Sequence, residues 1–253
     1  MTGVSVGTSD RTSASGRPKK MSERVANVIA DRILGGGIDV GARLPTEKDM
    51  MAEYGVARTT VREALRLLES RGLITIKPGV GGGPIAARPK YESLGNTLKL
   101  FLQVEGATIS DVIDLRLTLE PVVARQAAEG ISPDQLEVMQ AALDSMRADP
   151  RNYDNFQTQN ALFQTTLYRA AGNAAFRIVM ETLWLLVRDA EPDEHPLTTR
   201  RAAIEAQQKI LDALTQGDAD AAGEAMTEFV TDTARYYRRW LGRIIAQPVH
   251  WQL

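Results

Sequence analysis

The chain has 253 residues, of which 43% are hydrophobic and 25% charged, a composition typical of a water-soluble protein with room for two domains. It lacks cysteine, which excludes disulfides and thiolate metal sites, and it lacks both an apolar run of about 18 residues and a secretory signal, so we expect a cytoplasmic protein. The net charge of -2 is unevenly distributed. Residues 1–90 are basic, with 15 Lys and Arg against 9 Asp and Glu, and residues 91–253 are acidic, with 15 Lys and Arg against 23 Asp and Glu. Only the basic part suits a polyanion such as DNA.

The N-terminal region predicts a disordered tail followed by two helices. Residues 1–18 are rich in Gly, Ser and Thr and form the tail. The segment "MSERVANVIADRILGGG" has apolar residues at helical spacing and stops at three glycines, which predicts a helix over residues 21–34. In "RLPTEKDMMAEYG", the capping-box pattern of Thr46 and Asp49 predicts the start of a second helix, and Gly55 ends it.

A third helix is predicted within "GVARTTVREALRLLESRGL", residues 55–73. Its apolar residues share one stripe that should face a core: Val61, Ala64, Leu65 and Leu68. Arg58, Arg62 and Arg66 lie four residues apart on another stripe, which is either an ordinary solvated face or a ligand-binding one. Two short helices joined by a tight glycine turn predict a helix-turn-helix.

A short hairpin is predicted next. "LITIK" alternates apolar and polar residues, and "PIAA" can return beside it after the glycines of "PGVGGGP". The glycines could instead form a phosphate-binding loop, but no helix follows them and the Walker lysine is missing. Residues 19–88 therefore predict a winged helix-turn-helix domain, in which the second helix of the pair enters the major groove of DNA.

Strand patterns stop after a short linker at residues 89–93. Segments of helical periodicity separated by Gly, Pro or Asp predict an all-α bundle over residues 94–245, followed by a tail of residues 246–253. Pro121 lies within one of these segments and should kink or interrupt its helix near Leu119 and Glu120. The expected fold class is mainly α, with a winged helix-turn-helix domain followed by a helical bundle.

These residues resemble the GntR family of bacterial transcription regulators, in the FadR-like subfamily with a C-terminal FCD domain. The string "RLPTEKDMMAEYGVARTTVREALRLLESRGLITIKPGVGGG" carries the resemblance in the first domain, and "DLRLTLEP", "AAGN" and "ILDALTQGDADAAGEAM" carry it in the second. The resemblance implies a repressor that binds a two-fold DNA operator as a homodimer and senses a small molecule.

The resemblance also implies which residues meet DNA. Arginine suits this role because its planar fork reads guanine O6 and N7. Glycine in the wing permits close approach to the minor groove. The residues at matching positions are Arg43, Lys48, Arg58, Thr59, Thr60, Arg62, Lys77 and Gly79.

One departure from the family pattern concerns the start of the third helix. The family has serine or threonine at the position of Ala57, and alanine cannot cap a helix. Thr60 with Glu63 could form a capping box instead, which would start the helix later than the family does.

A second departure concerns metal binding. In many FCD domains an aspartate and three histidines hold a divalent metal, which then holds a carboxylate effector. The matching positions here carry Asn160, Gln164, Gln207 and Phe229. Because amides are poor ligands for zinc or nickel and phenylalanine is none, we expect no metal and no other cofactor. His195 and His250, the two histidines of the chain, are interpreted as incidental.

Arg116 matches the family's pocket arginine, and the alternative interpretation is a surface ion pair with Glu120 one turn later. An effector with one anionic end and an apolar body would place the anion on Arg116 and the body against Phe229, Phe163 and Trp184, with the amides bonding a carbonyl group. A fatty acid or acyl-thioester fits this description. A small organic or sugar acid, or an amino-acid derivative, is the alternative.

Two other classes of function stay open at this point. An enzyme is disfavoured because the helical half has no convincing nucleophile and base, no phosphate loop and no metal set. An architectural DNA-binding protein with a non-functional sensor domain is the other alternative, because the family's metal ligands are lost.

Overall fold

A computed structural model describes residues 20–79, 81–190 and 194–250. The chain divides into an N-terminal unit, residues 1–90, and a helical unit, residues 91–253. The predicted tail of residues 1–18 lies outside the described residues. In the described part of the chain, no helix has the length and apolar character needed to cross a membrane.

The N-terminal unit is a winged helix-turn-helix, as predicted. Its elements in chain order are α1 (Met21–Leu34), α2 (Glu47–Tyr54), α3 (Arg58–Ser70), β1 (Ile74–Lys77) and β2 (Gly83–Ala86). The two strands pair antiparallel, with Ile74 opposite Ala86. The apolar stripe of α3 packs against α1, where Val25, Ile29 and Ile33 are buried. The periodicity that predicts these elements is therefore the pattern that fills the core.

Helix α2 begins and ends as its sequence predicts, and α3 does not begin where the alternative cap would place it. Thr46 and Asp49 form the full capping box, and Gly55 ends α2 at a φ of 62°, in the left-handed region. Helix α3 follows Ala57 without a side-chain cap, so the proposed Thr60–Glu63 box is wrong. The amide of Thr60 donates instead to the carbonyl of Ala57, because the helix is already turning there.

The helical unit is an all-α bundle, as predicted. Its helices in the described residues are α4 (Tyr91–Val104), α5 (Ile109–Gly130), α6 (Pro133–Ala148), α7 (Tyr153–Ala170), α8 (Ala174–Arg188), α9 (Leu197–Gln216), α10 (Ala219–Trp240) and α11 (Gly242–Ile245). Helix α5 packs against α7, α8, α9 and α10. It therefore lies at the centre of the bundle.

The structure differs from the sequence predictions at three places in this unit. Helix α5 is not interrupted at Pro121, where Glu120 and Pro121 are buried, and a kink at this position stays a prediction. Helix α4 begins at Tyr91, so the second half of the predicted linker is helical. The predicted C-terminal tail is partly packed, since Val249 is buried and its amide donates to the carbonyl of Ala107 at 2.9 Å.

Candidate functional site

The exposed face of α3 brings together half of the residues predicted to contact DNA: Arg58, Thr59, Thr60 and Arg62. The side chains of Arg58 and Arg62 are 64% and 57% exposed. Thr59 is exposed and Thr60 half-buried beside them. The opposite stripe of the helix is buried in the core of the unit. The first turns of α3 therefore present two cations and two hydroxyls to solvent.

Glu47, the first residue of α2, holds both arginines. Its carboxylate accepts from Nε of Arg58 at 2.8 Å and from Nε of Arg62 at 3.0 and 3.2 Å. The Arg58 hydrogen bond, followed by that of Arg62, lowers the pKa of the Glu47 carboxyl despite partial burial. Sequence reasoning missed Glu47, because a pairing between two helices leaves no periodic pattern in the chain.

The other residues predicted to contact DNA are spread over the N-terminal unit. Arg43 is exposed and makes an isolated bridge with Ile85 of the wing. Lys48 is exposed in α2, and Lys77 is exposed at the end of β1. Gly79 has a φ of 97° in the wing turn, a conformation that a side chain would strain. Contact of any of these residues with DNA stays a prediction.

The helical unit contains a cavity of about 400 Å³. Helices α5, α7, α8, α9 and α10 and the segment before α9 form its wall. The residues of the wall that bear on its chemistry are Arg116, Tyr153, Asn160, Gln164, Trp184, Arg188, His195, Thr198, Thr199, Arg200, Phe229, Asp232, Thr233, Tyr236 and Tyr237. The volume is sufficient for a small metabolite.

Arg116 lines this cavity and also pairs with Glu120. Its side chain thus has the position of a pocket arginine and makes the ion pair of the alternative interpretation. Its Nε donates to Glu120 Oε1 at 2.6 Å. The pair is not at the surface, because the two side chains are 11% and 0% exposed. Burial opposes the charged guanidinium, but Glu120, Tyr168 and Tyr237 together more than offset this and raise the pKa of Arg116 above its ordinary value. Tyr168 donates to the same carboxylate oxygen at 3.3 Å.

The four replaced metal-ligand positions lie together in or beside the cavity. Asn160, Gln164 and Phe229 are in its wall, and Gln207 donates from Nε2 to Asn160 Oδ1 at 2.6 Å. The side-chain oxygens of Gln164 and Gln207 are buried without a hydrogen-bond partner. These amide oxygens are acceptors that suit an O–H or N–H donor.

The residues at these positions do not fit a metal ion. Their donor set is three amides and an apolar ring, and zinc or nickel prefers imidazole, thiolate or carboxylate. Over residues 20–79, 81–190 and 194–250, no group of three or more His, Cys, Asp or Glu side chains could hold a metal. The residues at these positions therefore give a metal no role in this cavity.

Arg200 is a cavity residue that sequence reasoning missed. Its guanidinium is buried, donates to the carbonyl of Arg151 at 3.1 Å and to Glu194 at 2.9 Å, and lies 5.5 Å from the ring centroid of Tyr153. Its Nε is buried and unpartnered. A buried arginine with an unused donor suits an anionic ligand. No spacing in "TTRRAA" distinguishes Arg200 from the exposed Arg201.

The structure places the remaining residues singled out from the sequence relative to the cavity. His195 is buried in its wall with Nδ1 3.4 Å from the hydroxyl of Tyr236, and its interpretation as incidental stays a prediction. Phe163 does not line the cavity but is fully buried in the core, one residue before Gln164 on α7. One residue is about 100° of rotation on a helix, which separates core-facing from cavity-facing positions. Trp184 and Phe229 lie in the wall, as predicted.

The charged residues of the cavity wall are mostly cationic. The described wall residues include three arginines, Arg116, Arg188 and Arg200, and one carboxylate, Asp232. Arg188 also stacks on Trp184, 5.0 Å from the ring centroid. The wall combines cations, amide oxygens, hydroxyls and aromatic faces. Such a surface can bind a small anion that carries further hydrogen-bonding groups.

Comparison with known proteins identifies both units. Residues 21–82 match the bacterial regulatory proteins of the gntR family, and residues 111–232 match the FCD domain. The HTH-type transcriptional repressor NanR of Cronobacter sakazakii is 31% identical over 215 residues, 82% of each chain. The repressor of the same name from Citrobacter rodentium is 30% identical over the same share. A solved structure, Streptococcus agalactiae GntR, has a TM-score of 0.63 and 25% identity, and the match covers 85% of this chain and 99% of that one.

Proposed function

Because this chain belongs to the GntR family of bacterial regulatory proteins and carries an FCD domain, we propose that it is a transcriptional repressor whose DNA binding responds to a small organic acid. DNA binds along the first turns of α3, and the acid binds in the cavity of the helical unit. The observation that carries the DNA-binding part is the pair of exposed arginines at the start of the second helix of a helix-turn-helix.

The cavity supports a polar acid over a fatty acid or acyl-thioester. An acyl chain against Gln164 would leave its buried side-chain oxygen unpaired, which costs about 1–3 kcal/mol. A hydroxyl group of a sugar acid would donate to that oxygen once the amide turns towards the cavity. Arg116 and Arg200 are each paired with a glutamate, and their remaining N–H groups supply donors for a carboxylate. Trp184 stacks on Arg188, and its other face suits the apolar face of a sugar ring. We therefore favour a hydroxylated acid, such as a sugar acid, as the effector.

The same cavity and the named relatives argue against the two remaining classes. A purely architectural protein has no need of buried, unpaired acceptors and donors around a cavity, because each of them costs stability. The NanR relatives are named as transcriptional repressors, which argues against an enzyme. A working sensor accounts for the polar wall, since a ligand completes its hydrogen bonds.

The exposed apolar residues of α4 support a homodimer. Phe101 and Val104 are 66% and 76% exposed, and Leu94 and Leu100 are also exposed on this helix. A second copy of the chain that covered this face would remove its apolar area from water. Two copies would also present two N-terminal units to a two-fold operator.

The homodimer is tested by sedimentation of the full chain and two variants. We expect the wild type to sediment as a dimer and Phe101→Asp to weaken it at least tenfold in Kd, because a carboxylate would be buried at the contact. Leu34→Asp is the control, because Leu34 is 71% exposed in the N-terminal unit and should leave the dimer unchanged. A monomeric wild type, or a Phe101→Asp dimer of unchanged affinity, would contradict this interface.

The effector class is tested by thermal shift with matched ligands. Glucuronate should raise the Tm of the protein, whereas glucose, which has a CH2OH group in place of the carboxylate, and acids from hexanoate to dodecanoate should not. Gln164→Leu should lose the response to the uronic acid and keep its fold, because leucine is similar in size to glutamine and needs no partner. Chelator should change neither the Tm nor the shift, because the amide positions hold no metal.

Other outcomes distinguish the alternatives. Stabilisation by the acyl series alone would restore the fatty acid interpretation. Stabilisation by sugar acids that chelator abolishes would show that a metal binds in spite of the amide ligands. If a wider set of aldonic and uronic acids and of small hydroxy acids also gives no shift, the proposed ligand class is wrong.

A further inference from the structure

The two arginines of α3 use their Nε atoms on Glu47 and keep their terminal amino groups for other partners. Both Nε donors lie within 3.2 Å of the one carboxylate. Among the described residues, neither guanidinium donates another hydrogen bond. A single acidic side chain at the first residue of α2 thus orients two side chains that are one helical turn apart on α3.

This arrangement decides how the arginines can read a base. A guanidinium can bind guanine O6 and N7 either with its two terminal nitrogens or with Nε and one terminal nitrogen. Because Glu47 occupies Nε in both residues, only the end-on mode is left. The lowered pKa of the Glu47 carboxyl shows that it stays ionised, so it holds both cations at neutral pH.

Glu47 is also a negative charge within the exposed surface that we assign to DNA. By itself, such a charge repels phosphate and lowers the affinity of the protein for DNA of any sequence. A compensating role would explain its place between the two arginines that we assign to DNA. Holding the forks in one orientation reduces the number of rotamers that must be ordered on binding and removes the alternative side-on contacts.

We propose that Glu47 is the positioning residue for operator recognition, which fixes Arg58 and Arg62 for end-on contact with bases and lowers sequence-independent binding. This inference rests on the proposed DNA-binding function. In this role Glu47 raises the ratio of operator to non-operator affinity and does not shift both affinities in the same direction. Opposite changes are therefore expected for operator and non-operator DNA when Glu47 is replaced.

The test uses the full chain and an operator that the wild-type protein selects from random-sequence DNA. Kd is measured at one fixed salt concentration for this operator and for a scrambled duplex of equal length. In Glu47→Gln, we expect scrambled DNA to bind more tightly and the operator more weakly, so that the ratio of the two Kd values falls about tenfold or more. Glu47→Asp keeps the charge but shortens the side chain, and it should lose discrimination without tighter binding to scrambled DNA.

Glu69→Gln is the matched control, because Glu69 is exposed near the end of α3 and carries the same charge. It should raise both affinities together and leave the ratio unchanged. If Glu47→Gln behaves like Glu69→Gln, or if Glu47→Asp keeps the wild-type ratio, the positioning role is wrong while the DNA-binding function stands. If the wild-type protein selects no sequence, the proposed function itself is wrong.

Discussion

Glu120→Leu is expected to lower the free energy of unfolding of the helical unit by about 3–5 kcal/mol, because it leaves the buried charge of Arg116 without its carboxylate. Tyr168 would lose its acceptor at the same time. Leucine fills a volume similar to that of glutamate, so little of the loss would come from a cavity. Urea unfolding followed by circular dichroism measures the change.

The double variant Arg116→Met with Glu120→Leu is the control for this prediction. Removing both charges of a buried pair is often neutral or stabilising, so the double variant should recover most of the lost stability. A loss below about 1 kcal/mol in Glu120→Leu would mean that water in the cavity already solvates Arg116, as for a surface pair. The double variant also provides a folded protein without the Arg116 cation for ligand binding.

Arg58→Ala and Arg62→Ala should each remove operator discrimination while the fold survives. Each good contact with a base contributes about 1–3 kcal/mol to discrimination, so the affinity for the selected operator should fall about 5- to 150-fold per variant. Both side chains are largely exposed, so the N-terminal unit should keep its stability. A gel-shift series at fixed salt measures the affinity for operator and scrambled DNA.

Arg66→Ala removes the same charge from an exposed position one turn further along α3. This substitution should lower the affinity for operator and for scrambled DNA by similar factors, because Arg66 contributes only to the general attraction of phosphate. Equal behaviour of Arg58→Ala, Arg62→Ala and Arg66→Ala would refute α3 as the element that reads the sequence.

The N-terminal unit could be predicted closely because its elements are specified by short-range patterns. Apolar stripes, the Thr46 box and Gly55 each act within one or two turns, and each is present in the structure as predicted. Pro121 shows the limit of such rules. Its local preference for a break is overruled by the helices that pack around α5, and this information is distant in the chain.

The candidate sites depend on contacts between distant residues and could be predicted only in part. Arg116 and the amide positions were found through resemblance, but Arg200 and His195 are brought to the cavity by the fold of the whole bundle. The spacing of Arg116 and Glu120 is the same for a surface ion pair and for a buried one. Only the burial of both side chains in the structure shows that the pair is buried. Glu47 of α2 pairs with Arg58 of α3 across the turn between the helices, and no spacing rule in the sequence predicts this pair.

The missing cap of α3 links the order of that helix to the presence of DNA. Ala57 leaves the first amide groups of α3 without a side-chain acceptor, at the end of the helix that carries partial positive charge. A side-chain cap contributes about 0.5–2 kcal/mol to a helix, and the free protein lacks this contribution. A phosphate oxygen of the DNA backbone at the same place would supply the acceptor and gain that free energy on binding. We therefore expect the first turn of α3 to fray more readily in the free protein and to close on binding DNA, so that the two events are thermodynamically coupled.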